Sequence, residues 1–165
     1  MFKMDKLKKY LHKLKSLSIY FINLPLYWFS FFVPKNKNLW VFGAWAGKNY
    51  SDNSRYLFEY VNSNYPNIKA IWLGSDKKTL SLIKNLGYET YHKYSLKGYF
   101  ISMNAKVFVI SNTIKDVNQF TCNRALLVQL WHGTPLKQVI YQDTKEHIKK
   151  ELLLKRKLSV FFPFL

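Results

Sequence analysis

Two stretches of this 165-residue chain hold residue types that could do chemistry. One is Trp131-His132-Gly133-Thr134-Pro135. His132 leaves the hydrophobic run Ala125–Leu130, and Thr134 can cap a helix whose first position is Pro135, where a missing N–H costs nothing. An imidazole that titrates near neutrality can take a proton from a hydroxyl. Free N–H groups at the helix start, over Gly133 and Thr134, can hold a phosphate beside it. The other stretch is Gly43–Asn53. Gly43 and Gly47 let backbone come close to a ligand, and Lys48, Asn49, Ser51, Asp52 and Asn53 lead into a helix N-terminus that favours an anion. Its spacing matches neither the Walker nor the dinucleotide fingerprint, so a binding loop and a plain turn both stay open. Spacing also leaves His132 open between a structural and a catalytic histidine.

The remaining histidines say less. His12 falls in a basic helix, His92 near a strand end as a packing or supporting polar group, and His147 on a solvent-facing helix. No pair has the one-turn spacing of a metal site, and no metal or cofactor is expected. Cys122 stands alone, so neither a disulfide framework nor a cysteine-based zinc site can be built; it reads as a small buried hydrophobe.

The elements that must position these residues alternate. Strands are expected at Leu39–Phe42, Ile68–Leu73, Glu89–Tyr91, Lys106–Ile110 and Ala125–Leu130. Between them run helical patterns. Ser51, Asp52 and Asn53 offer caps for a helix turning Tyr56, Leu57, Tyr60 and Val61 inward. Ser75 is expected to cap a second, with Leu80, Ile83 and Leu86 on one face and Gly87 closing it. Ser95 can cap a third, carrying Leu96, Tyr99, Phe100 and Met103. Such alternation implies βαβ units: an α/β fold with a mostly parallel sheet and helices on both faces. In such sheets ligands bind beyond the carboxyl ends of the strands, where both candidate stretches fall. A further helix pattern continues toward Lys157 and ends in the apolar tail Val160–Leu165.

A hydrophobic fraction of 48% is ample for a core and argues against disorder. The 26 Lys and Arg against 9 Asp and Glu, a formal +17, point to a polyanionic partner. The first 38 residues differ from the rest. Eight lysines oppose Asp5 alone there, a net +7, and Phe2, Met4, Leu7, Leu11, Leu14 and Leu17 recur at helical spacing. That is a basic amphipathic helix suited to an anionic bilayer surface. The apolar run Leu17–Val33 follows, shorter than the roughly 20 residues of a spanning helix, broken by Asn23 and Pro25, and rich in interfacial aromatics. A monotopic anchor is the favoured reading; a spanning segment and ordinary packing against the domain remain open. The expected division is a membrane-associating segment over 1–38 and an α/β domain over 39–165. Nucleic acid has only charge and aromatics in its favour, without a recognisable motif, and is not expected as a partner.

Three motifs in order, Phe42-Gly-Ala-Trp-Ala-Gly-Lys-Asn-Tyr-Ser-Asp-Asn-Ser-Arg-Tyr-Leu57, Tyr91-His-Lys-Tyr-Ser-Leu-Lys-Gly98 and Leu130-Trp-His-Gly-Thr-Pro-Leu-Lys137, resemble the CDP-glycerol glycerophosphotransferases of teichoic-acid biosynthesis. The resemblance spans about residues 39–143. It implies the amino-terminal, acceptor-side half of a GT-B fold, two Rossmann-like domains facing across a cleft. It implies CDP-glycerol as donor, bound through a carboxyl-terminal domain outside this sequence, and a lipid-linked glycerol-phosphate acceptor at the cytoplasmic face of a membrane. It further implies His132 as the base, with Gly43, Gly47, Lys48, Asn49, Ser51, Asp52, Asn53, Gly133, Thr134 and Lys137 toward the acceptor and its phosphates. The family's second functional histidine and nucleotide-binding motifs belong to the other domain, so the domain here is expected to be incomplete and inactive alone. A non-catalytic membrane- or polymer-binding module derived from the same family is the alternative.

Overall fold

The computed structural model describes residue 18 and residues 21–131. His132, Gly133, Thr134, Lys137, His12 and His147 lie outside those residues, as do nearly all of the stretch expected to form a basic helix and the apolar tail.

Residues 21–32 are helical (α1), straight through Asn23 and Pro25. No helix among the described residues is long and apolar enough to cross a membrane. Five strands and three further helices follow: β1 (Asn36–Gly43), α2 (Asp52–Asn64), β2 (Lys69–Gly74), α3 (Lys77–Asn85), β3 (Thr90–His92), α4 (Leu96–Asn104), β4 (Ala105–Ile110) and β5 (Leu126–Gln129). The strands form one sheet in the order β3-β2-β1-β4-β5, every neighbouring pair parallel. All five expected strands are present.

The strands read as continuous apolar runs because both sheet faces are covered. Successive side chains go to opposite faces. Phe42, Ala70, Trp72, Val107 and Val109 join Phe58 and Val61 of α2 and Ile83 of α3 in one cluster. Val41, Ile71, Leu73, Phe108 and Ile110 join Ile101 of α4 in the other. In the first cluster Phe58 meets Phe42, Tyr50, Trp72 and Tyr88 edge-on, the arrangement aromatic quadrupoles favour.

Two helix details correct the expectations. In α2 the buried side chains are Ser54, Phe58 and Val61, while Tyr56 and Tyr60 face solvent. The large Phe58 takes the interior, and the two tyrosines lie at the surface. In α3 the cap is Asp76 rather than Ser75: its carboxylate accepts from the Thr79 N–H. Ser75 instead donates its hydroxyl to the Ala46 carbonyl, stapling the Gly43–Asn53 loop to the end of β2. Ser95 caps α4 through the Gly98 N–H, as expected, and Gly87 closes α3 at φ +86°. Leu86 is exposed, leaving Ile83 as the anchor of α3.

Candidate functional site

Strand order reverses between β1 and β4, and the segments leaving their carboxyl ends form the floor of the candidate site. After β1 the chain makes a tight 3₁₀ turn, Trp45–Gly47. Trp45, Ala46 and Gly47 all have left-handed backbone, at φ 49°, 55° and 79°. Asp52 at φ 64° and Trp131 at φ 60° share it. For residues with a Cβ this conformation costs roughly 1–2 kcal/mol each, and it persists only where surroundings enforce it.

The enforcement is visible at Ala46. Its N–H donates to Asp116 Oδ1 at 2.7 Å, and its carbonyl accepts from Lys93 Nζ at 2.9 Å and Ser75 Oγ at 3.1 Å. Asp116 sits in a second 3₁₀ turn, Ile114–Asp116, after β4. Its other oxygen accepts from the N–H groups of Ser111, Asn112 and Thr113. Lys93, just after β3, also donates to the Lys115 carbonyl. Both charged groups are nearly inaccessible, Asp116 at 1% and Lys93 at 3% exposure. Burial pulls the Lys93 ammonium down to about 8, with Asp116 opposing that shift and Lys115 and Lys48 adding to it.

The sequence candidates fall around this lattice. Gly43 ends β1 against the second turn: a Cβ there would stand 2.3 Å from the Asp116 carbonyl oxygen. The Gly47 carbonyl accepts from the Ser75 N–H. Lys48 and Asn49 are exposed. Ser51 precedes α2 in extended conformation without a side-chain capping bond, and its buried hydroxyl has no partner among the described residues. The Asp52 carboxylate accepts from the indole N–H of Trp45.

Asn53 joins the two stretches. Its amide donates to the carbonyl of Leu130 at 3.2 Å and of Trp131 at 2.9 Å. The start of α2 is thereby tied to the backbone one residue before His132. His92, at the end of β3, accepts from the Tyr94 N–H through Nδ1. Cys122 is a partly buried free thiol donating to the Gln119 carbonyl, with burial pushing it up to about 11. No cluster of metal-ligating side chains occurs among the described residues.

Lys93 and Asp116 were not among the sequence candidates. Lys93 lay within the quoted Tyr91–Gly98 motif, as one lysine among many. Asp116 had a readable signal: with only 9 acidic residues in the chain, one in a strand-exit loop is conspicuous.

Comparison with known proteins supplies the chemical context. The profile of the family described as CDP-glycerol:poly(glycerophosphate) glycerophosphotransferase matches residues 25–160. A teichoic acid poly(glycerol phosphate) polymerase of Staphylococcus epidermidis is 36% identical over 105 residues, covering 60% of this chain and 13% of its own length. A polymerase of the same description from Bacillus spizizenii is 30% identical over 118 residues, covering 70% of this chain and 29% of its own. A teichoic acid glycerol-phosphate transferase of Staphylococcus aureus is 35% identical over 106 residues, covering 63% and 26%. The chain thus spans less than a third of the length of these relatives. The solved wall teichoic acid polymerase TagF shares the fold, with a TM-score of 0.55 at 21% identity, covering 96% of this chain and 40% of that one.

Proposed function

The chain belongs to the CDP-glycerol:poly(glycerophosphate) glycerophosphotransferase family, and from that premise we propose that it is the acceptor-side part of an enzyme moving glycerol phosphate from CDP-glycerol onto a lipid-linked glycerol-phosphate chain. In this reading His132 takes the proton from the terminal hydroxyl of the acceptor. The oxygen attacks the β-phosphorus of CDP-glycerol, a new P–O bond forms, and CMP departs with the bridging oxygen. Such transfers need positioning and charge neutralisation more than covalent help. The helix expected from the sequence after His132 would supply N–H donors, with Lys137, from one side, and Lys48 and the α2 start from the other. In the same reading a domain outside these 165 residues binds the donor across the cleft of a GT-B arrangement, at the cytoplasmic face of the membrane.

The observation that carries the reading is the meeting of two distant motifs beyond the carboxyl ends of the strands: Asn53, in the first turn of α2, reaches the carbonyls just before His132. The test uses the chain supplied with a donor-binding domain, following CMP release and glycerol-phosphate incorporation, with the chain alone as an inactive baseline. His132→Ala is expected to cut transfer by about 10²–10⁴-fold, the usual share of a general base, with the fold intact by circular dichroism. Undiminished transfer by that variant removes His132 from the mechanism.

A second reading, a non-catalytic membrane-binding module, draws on the apolar residues that α1 and α4 turn to solvent. It requires vesicle binding without any nucleotide donor.

A further inference from the structure

We propose that Asn53 is a positioning residue for His132, holding the peptide from which the imidazole departs; this rests on His132 acting as the base. The last paired positions of β4 and β5 are Ile110 and Gln129, and the last ladder bond runs from the Leu130 N–H to the Ile110 carbonyl. Gln129 adds a side-chain bond to the Asn112 carbonyl at 2.9 Å. The next two carbonyls, of Leu130 and Trp131, are taken by the Asn53 amide. Asn53 therefore takes over where backbone pairing ends.

The carbonyl carbon of Trp131 is bonded to the nitrogen of His132. The Asn53 hydrogen bond thus holds the carbonyl of the peptide that leads into the candidate base. Trp131 is left-handed, so the chain turns sharply there, and Asn53 bonds the peptides on both sides of the turn. The holder is itself rigid. Asn53 stands in the first turn of a helix anchored by Phe58 and Val61 in the core. Its neighbour Asp52 is held by the Trp45 indole. A group placed by a well-supported helix is suited to hold the backbone that leads into a reacting side chain. With its amide protons given to carbonyls, Asn53 acts on the reaction through His132 rather than by touching substrate.

The experiment compares Asn53→Asp, which keeps shape but replaces the donors with acceptors, Asn53→Ala, which removes them, and Asn53→Gln, which retains them on a longer arm. In the 165-residue chain, imidazole titration by NMR and carbethoxylation by diethylpyrocarbonate are followed at each histidine, with His92 as internal control. In both N53D and N53A the His132 rate is expected to change by about fivefold or more, the population effect of one lost hydrogen bond. His92 should be unmoved, and N53Q should restore part of the effect. Should N53D fail to fold, N53A against N53Q decides. With a donor-binding domain supplied, kcat should fall by about 100-fold in N53A at an unchanged KM for CDP-glycerol, as expected when a reacting group is displaced by about 1 Å. Wild-type His132 behaviour in the folded variants, or a loss confined to KM, overturns the proposal. If His132→Ala keeps full transfer the base assignment falls, yet the titration arm still reads whether Asn53 controls that imidazole.

Discussion

At Lys93 a charge is buried where two backbone carbonyls, of Ala46 and Lys115, receive it, with the Tyr94 ring 5.0 Å away. The carboxylate of Asp116 helps at longer range, while Lys115 and Lys48 oppose. Loss of hydration outweighs these partners, so the folded chain releases the proton near pH 8 instead of the ordinary 10.5. Below about 8 the amine is charged in both folded and unfolded chains, and its desolvation cost is constant. Between about 8 and 10.5 the unfolded chain holds a proton that the folded one lacks, so stability from this group rises with pH. Lys93→Met keeps the volume and abolishes the titration. The stability of the wild type minus that of Lys93→Met should therefore increase across this window, by up to about 1.4 kcal/mol per pH unit, and be flat below it. Urea unfolding of both proteins at pH values of about 7 and 9.5 measures the difference, and subtraction cancels Lys35 and Cys122, which titrate in both. A difference that stays level from one pH to the other would show that Lys93 keeps its ordinary affinity for the proton.

Among the elements, the turn after β1 depends on two backbones in contact. A Cβ on Gly43 would lie 2.3 Å from the Asp116 carbonyl oxygen and 2.8 Å from Val117 Cγ1, so Gly43→Ala must push the two strand-exit turns apart. Gly87→Ala is the contrast: φ is +86° but nothing stands within 4 Å of the new Cβ, so only backbone strain of roughly 1–2 kcal/mol applies. Chemical denaturation should show Gly43→Ala costing more than Gly87→Ala, about 3 kcal/mol or more because backbone rather than a flexible side chain must yield, with the Ala46–Asp116 bond disturbed only in the former. Equal losses would mean that the turns yield without strain. The same elements mark what the sequence makes legible. The five strands could be read because runs such as Val107–Ile110 are apolar on both faces, which a two-sided sheet demands. The inward face of α2 could not, because tyrosines and Phe58 compete for one interior and only the sheet decides between them. The Gly43–Asn53 loop was readable as a candidate from its glycines and position. Its supports were not: Lys93 and Asp116 are 23 residues apart, and only the parallel crossovers that bring the carboxyl ends of β3, β1 and β4 to one end of the sheet carry both to Ala46.

For the molecule as a whole, the unusual feature is how α1 is held. Asn23 accepts from the Tyr99 hydroxyl, Asn123 donates to the Tyr27 carbonyl, Arg124 to the Phe31 carbonyl, and Lys35 to the Met103 carbonyl. These bonds tie the segment to α4 and to the loop before β5. Yet Phe21, Ile22, Trp28, Phe29, Phe31 and Phe32 remain exposed, Phe32 at 76%, and α4 adds Leu96 at 91% and Phe100. Large apolar side chains held outward by a fixed helix are costly in water and favourable in a bilayer interface, where aromatic rings concentrate. At an anionic surface the +17 charge would add attraction, about 1 kcal/mol for each lysine close to the headgroups. The two contributions separate experimentally, because salt screens charge over about 10 Å at 0.1 M but leaves apolar insertion intact. The chain should therefore sediment with anionic vesicles, weaken as salt is raised, and keep a salt-resistant remainder that Trp28→Ser with Phe32→Ser removes. At about 1.5–3 kcal/mol for each large side chain withdrawn from water, that pair should lower partitioning by 10²-fold or more. If the double variant binds like the wild type at every salt concentration, these rings do not enter lipid, and charge alone must account for any membrane association.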